Sequence, residues 1–128
     1  MKIKVTGIFV NNLDGALKFY TETLGFIKKT DISNGPYRWL TVVSPEEQDG
    51  VELHLEVNQN PAAKQFQEAI FTQGMPAMQF FVDDIQKEYD RLKNLAVEFT
   101  MPPTKVTGST IAQFNDTCGN LIQIVQLD

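Results

Sequence analysis

The chain carries one pattern twice. Residues 3–57 read strand, helix, strands, and close on Val51-Glu52-Leu53-His54-Leu55. Residues 75–126 read the same way and close on Leu121-Ile122-Gln123-Ile124-Val125. Val10-Asn11-Asn12-Leu13 recurs 72 residues later as Val82-Asp83-Asp84-Ile85, and Val51-Glu52-Leu53 recurs 71 residues later as Ile122-Gln123-Ile124. An offset held that far along a chain implies two copies of one supersecondary unit, facing each other around a shared cavity, neither able to bury its apolar face alone. With 128 residues there is room for one domain with a proper core and not for two ordinary domains. The expectation is a single domain over 1–128, with modules at about 1–58 and 75–128 and a connector helix at about 61–73.

Each module reads β-α-β-β-β. In the first, Ile3 to Val10 is a mostly buried strand. Asn12 caps a helix whose apolar residues are Leu13, Ala16, Leu17, Tyr20 and Leu24, and Gly25 supplies the left-handed stop. Phe26 to Thr30 is a short strand, and Asn34-Gly35-Pro36 a turn. Tyr37 to Val43 is rich in aromatic and β-branched residues and reads as a strand. Val51 to Val57 alternates, with Val51, Leu53, Leu55 and Val57 on one face and Glu52, His54 and Glu56 on the other.

Asn60-Pro61 opens the connector helix. Phe66, Ala69 and Ile70 form its apolar stripe, and Gly74 ends it. In the second module Ala77 to Val82 is a strand, and Asp84 caps a helix carrying Ile85, Tyr89 and Leu92. Ala96 to Thr100 is a strand that Met101-Pro102-Pro103-Thr104 breaks. Thr110 to Asn115 and Leu121 to Leu127 complete the set, joined by the turn Asp116 to Asn120. The sum is an α+β fold with eight strands in a cupped mixed sheet, helices covering one face of each module and the other faces curling inward.

The segment from Phe9 to Phe26, and within it Phe19-Tyr20 followed after three residues by Leu24-Gly25-Phe26, resembles the opening signature of the vicinal oxygen chelate superfamily. Glyoxalase I, bleomycin-resistance proteins and extradiol dioxygenases belong to it. Asp116-Thr117-Cys118-Gly119-Asn120 and the strand after it resemble the family's closing turn, with Thr117 where a proline is usual. The resemblance implies paired β-α-β-β-β modules, a cupped sheet and a homodimer. It also implies metal-ligand positions at Val5, Glu52, Ala77 and Gln123.

Those four positions are poor in donors. A divalent ion needs three or four converging nitrogen or oxygen ligands. Val5 and Ala77 supply none, Glu52 is a good ligand, and Gln123 a neutral one. No cofactor is therefore expected. A shifted divalent-metal site drawn from Glu52, His54 and Gln123 is the alternative. Alternation puts His54 on the face of Glu52, so the pair also reads as an acid–base pair, and equally as a rim or dimer-interface hydrogen bond.

Burial of Glu52 would raise its pKa unless something pairs with it, which would make it a candidate catalytic base. The competing reading is a salt bridge to Arg38 or a hydrogen bond to Gln123. Gln79, Phe81, Gln123 and Phe9 read as a mixed amide and aromatic lining for a small organic ligand. Core packing is the plainer reading of the two phenylalanines. Arg38 and Trp39 are adjacent in a strand and point to opposite faces. Arginine would draw an anion and tryptophan would stack on a planar ligand, but the sequence leaves open which of them faces the ligand.

The net charge of −5 with scattered lysines and arginines disfavours nucleic acid and anionic membranes as partners. No apolar run approaches the length of a membrane span. Met1-Lys2-Ile3-Lys4 leads straight into a strand, leaving no room for a signal peptide. The lone Cys118 forms no internal disulfide, fits a reducing, cytoplasmic setting, and has no base beside it, so it reads as a turn residue. Two functions stay open. One is a binder of a small organic molecule without the family's metal. The other is a lyase, isomerase or dioxygenase-type enzyme with Glu52 as base or metal ligand.

Overall fold

The computed structural model describes residues 1–128. The elements run β1 (Val5–Val10), α1 (Leu13–Lys18), β2 (Ile27–Asn34), β3 (Tyr37–Val43), β4 (Glu52–Val57), α2 (Pro61–Thr72), β5 (Pro76–Phe81), α3 (Ile85–Asn94), β6 (Phe99–Val106), β7 (Ser109–Asn115) and β8 (Leu121–Leu127). The eight strands form two four-stranded mixed sheets, ordered β1-β4-β3-β2 and β5-β8-β7-β6. In each, the first strand of the module lies parallel to its last, and the remaining pairs are antiparallel. This is the doubled β-α-β-β-β pattern expected from the repeat. The chain divides into two compact units, residues 1–64 and 65–128, with the boundary inside α2. No helix is long and apolar enough to cross a membrane.

In the first unit, the Asn12 side chain accepts from the Gly15 N–H and starts α1. The predicted single helix to Leu24 changes character at Phe19 and continues to Thr23 as a wider, π-type turn. The Thr21 hydroxyl donates to the Leu17 carbonyl at 2.6 Å, a side-chain bond of the kind that competes with the regular helical ladder. Gly25, at φ 92°, ends the element as expected. One face of the sheet carries Ile8, Val10, Leu40, Val42, Leu53 and Leu55, which are buried together with Ala16 and Tyr20 of the helical segment.

In the second unit, Asp84 caps α3 by accepting from Lys87 N–H. The helix also docks through a side chain of the sheet: Gln126 Oε1 accepts from the Ile85 N–H. Ile85, Leu92, Ala112, Phe114, Ile122 and Ile124 form the core, and Phe99 packs edge-on against Tyr89 and tilted against Phe114.

Two expectations need correcting here. The prolines do not break the strand after α3. That strand starts at Phe99, later than expected, and runs through Pro102 and Pro103 to Val106 with register shifts across the proline segment. It is an edge strand: of two adjacent prolines one lacks an outward N–H, and the other lacks one toward β7, where the register shifts between Met101 and Thr104.

The second correction concerns α2. Phe66 is 61% exposed, and the buried residue on that helix is Gln67. The Gln67 amide donates to the Cys118 carbonyl and to Asn120 Oδ1. Asp116 in turn accepts from the Cys118 and Asn120 backbone N–H groups and from Asn120 Nδ2. A helix expected to dock by an apolar stripe docks by a satisfied amide network instead. Gly119 makes room for it: at φ 101°, a Cβ there would come within 2.7 Å of Gln67 Nε2.

Candidate functional site

The face of the first sheet opposite the helix gathers most of the chemistry. Strand pairing places Val5 beside Glu52, Gly7 beside His54 and Phe9 beside Glu56. On the other side of β4, Thr41 lies opposite His54. Alternation from Thr41 brings Trp39 onto the same face. The Trp39 and His54 rings stack, with centroids 4.0 Å apart and planes at 25°. Trp39 remains 43% exposed. His54 Nδ1 turns toward Glu56 Oε2 at 3.9 Å.

Glu52 accepts a hydrogen bond from the Thr41 hydroxyl at 2.7 Å. Neither partner expected for Glu52 is the observed one: Arg38 is engaged elsewhere, and the Gln123 amide is taken up by two other glutamines. Thr41 is fully buried and went unnoticed in the sequence. Only the β3–β4 register identifies it, and no sequence signal fixes that register.

Arg38 is the other half of the alternation left open, and it falls on the helix side. Its Nε and Nη2 donate to the two carboxylate oxygens of Asp31, and its Nη1 donates to Asp14 Oδ1 on α1. The hydrogen bonds it donates to Asp31 and then to Asp14 raise the guanidinium pKa further. Arg38 therefore clasps α1 to the β2–β3 hairpin, on the face opposite Trp39.

In the second unit the corresponding face carries a chain of amides. Gln113 Nε2 donates to Gln123 Oε1 at 3.0 Å, and Gln123 Nε2 donates to Gln79 Oε1 at 2.9 Å. Both predicted glutamines belong to this chain; Gln113 is the member the sequence reading missed. Phe81 is on the same face and exposed, and Phe9 is half-buried on its own sheet.

Register changes the correspondence between the modules. His54 pairs with Gly7 and Thr41; Gln123 pairs with Gln79 and Gln113. Gly7 and Gln79 are 72 apart, and so are Thr41 and Gln113. His54, and not Glu52, is therefore the counterpart of Gln123. The β7–β8 connection spans residues 116–120, three residues fewer than the β3–β4 connection at 44–51, and this slides the last strand against the simple sequence offset.

The family's ligand positions hold few donors. The first unit offers Glu52 without Val5, and the second offers Gln123 without Ala77. His54 is committed to Trp39 and turned toward Glu56, and no group of three or more His, Cys, Asp or Glu side chains could hold an ion. Cys118 is buried, and burial, with the Asp116 charge next, pushes its thiol up to about 12. It is an inert turn residue.

The family model of the Glyoxalase/Bleomycin resistance protein/Dioxygenase superfamily matches residues 2–124. Over 126 residues the chain is 63% identical to the uncharacterized protein YurT of Bacillus subtilis (strain 168), covering 98% of this chain and 99% of that one. Among solved structures, UcmS2 aligns with a TM-score of 0.84 and 30% identity, over 98% of this chain and 97% of that one. TnmS3, an antibiotic binding protein from Streptomyces sp. CB03234, aligns with a TM-score of 0.80 and 23% identity, over 100% of this chain and 97% of that one.

Proposed function

Because this chain belongs to the Glyoxalase/Bleomycin resistance protein/Dioxygenase superfamily, we propose that it is a metal-independent member that binds a small planar organic molecule on the face of its first sheet opposite α1. The observation that supports this is the Trp39–His54 stack. A large aromatic ring is held flat by a neighbour on one side and left 43% exposed, beside a carboxylate already fixed by Thr41. Flat rings with a few fixed polar groups around them are what small-molecule sites are built from. The antibiotic binding described for TnmS3 is in keeping with the reading. The side chains of this chain carry it.

Trp39 is the one tryptophan, so its fluorescence reports the site directly. A screen of small planar metabolites and antibiotics should yield compounds that change Trp39 emission and raise Tm. Saturable binding that is unchanged in Trp39→Ala would overturn the assignment of the site. Elemental analysis tests the metal: one divalent ion per purified chain, lost in Glu52→Ala, would overturn metal independence.

A second reading rests on Glu52. One of its oxygens is held by Thr41, while the other has no protein donor and could take a proton from a bound substrate. A binder keeps ligand affinity and shows no turnover to lose in Glu52→Gln. An enzyme loses turnover in that variant.

A further inference from the structure

Charge is sorted between the two faces of the first sheet. The face with Trp39 carries Glu52 and Glu56 at paired strand positions, with Val5, Gly7 and Phe9 alongside. Across β3 and β2 it carries Tyr37, Trp39 and Thr41, paired with Asn34, Ile32 and Thr30. None of these is a lysine or arginine. Arg38 lies on the opposite face with Asp14 and Asp31, and Lys28 pairs with Asp31. Lys29 sits at the β2 bulge and pairs with Asp49, and Lys4 donates to the Asp49 carbonyl. The basic residues of these strands thus pair with Asp14, Asp31 or Asp49, and neither Glu52 nor Glu56 forms an ion pair with a lysine or arginine.

We infer that the ligand of this face is a planar organic cation: an aromatic ring bearing an ammonium or amidinium group. This rests on the binding role assigned to Trp39 above. The ring would lie on the open side of Trp39, and the positive group would reach Glu52 or Glu56. Both contacts favour a cation, since the face of a tryptophan ring is electron-rich and a charged donor strengthens a hydrogen bond to a carboxylate. Gly7, paired with His54, leaves that strand position without a side chain, so nothing of its own competes for the space. An anion would meet two carboxylates and no counter-charge other than a protonated His54. A neutral ring would leave both carboxylates to water.

Three naphthalenes of matched shape separate these cases: 2-naphthylmethylammonium, 2-naphthylmethanol and 2-naphthoate. The single tryptophan gives a single indole N–H signal in a nitrogen-15 correlation spectrum, and its movement on titration gives each affinity at the site. The ammonium compound should bind about tenfold more tightly than the alcohol, with the carboxylate weakest, and added salt should narrow the gap. Glu56 is more than half exposed, so Glu56→Gln should fold normally and reduce the ammonium-to-alcohol ratio several-fold. If the alcohol binds as tightly as the ammonium compound, the cation inference falls and the planar-ligand reading stands. If none of the three moves the Trp39 signal, both fall.

Discussion

The Thr41 hydroxyl donates to Glu52 Oε1 across 2.7 Å, from a residue with no solvent exposure. Thr41→Val keeps the shape and deletes the donor. It should cost about 1.5–3 kcal/mol, the range for a hydrogen bond to a carboxylate, read as a lower urea midpoint at unchanged m-value. In a double-mutant cycle with Glu52→Leu, the two losses should fall well short of adding. Additive losses would mean that the two side chains are not energetically coupled.

Two residues other than glycine adopt positive φ, Ala96 at 65° and Thr117 at 62°. Ala96 follows α3 as its left-handed cap, with Val97 N–H bonding back to the Leu92 carbonyl. Ala96→Gly should therefore stabilise the protein by about 0.5–1 kcal/mol, because the strain relieved there exceeds the extra entropy that glycine loses. The same logic excludes proline at Thr117, since proline is locked near −65° and cannot adopt this φ. Thr117→Gly should raise Tm and Thr117→Pro should lower it sharply. A stabilising Thr117→Pro would contradict the turn described here.

Arg38 holds the Asp31 carboxyl below the usual carboxylate range, chiefly through its hydrogen bonds. A depressed folded-state pKa contributes stability that is present above the ordinary carboxylate pKa of about 4 and is lost as pH falls through the lower, folded value. Arg38→Ala should lower Tm by a few degrees at neutral pH. Its deficit relative to the parent should shrink as the pH drops below about 4. A deficit independent of pH would show that Arg38 acts by packing alone.

Cys118 runs the opposite way. Its thiol is pushed up to about 12 by burial, so the folded state holds the proton more tightly than the unfolded one. The resulting stability is complete below the ordinary thiol pKa of about 8.5 and is lost as pH rises through the folded value. The parent should therefore lose stability more steeply between about pH 9 and 12 than Cys118→Ala. Thiol reagents should label the native protein at pH 8 no faster than it opens, and label it at once in denaturant. Fast native labelling would mean that the closing turn is not closed.

Much of the fold was legible because period and punctuation are local. The caps Asn12 and Asp84 and the stop Gly25 act within one turn of their helices. The alternation of Leu53 and Leu55 against Glu52 and His54 follows from strand geometry alone. What could not be read was non-local. Whether Arg38 or Trp39 faces the site depends on how β3 registers against β4. Which residue answers Gln123 depends on a connection three residues shorter. Pro102 and Pro103 read as a break because sequence does not say that their strand lies at an edge. Phe66 read as core because the amide network that docks α2 assembles from residues over fifty positions apart. In each case the local signal was sound, and a partner distant in sequence decided what it meant.

The proline pair in β6 has an outcome beyond its own sheet. A strand at the margin of a sheet offers its spare N–H and C=O groups to any extended segment that drifts by, the first step toward fibres. Of Pro102 and Pro103, one removes a donor from the open margin, and the register slips just before the pair and again across it. A second copy of this chain approaching along that margin would find no continuous ladder to extend. Exchanging both prolines for valine should therefore raise the tendency of the protein to aggregate through that margin at high concentration.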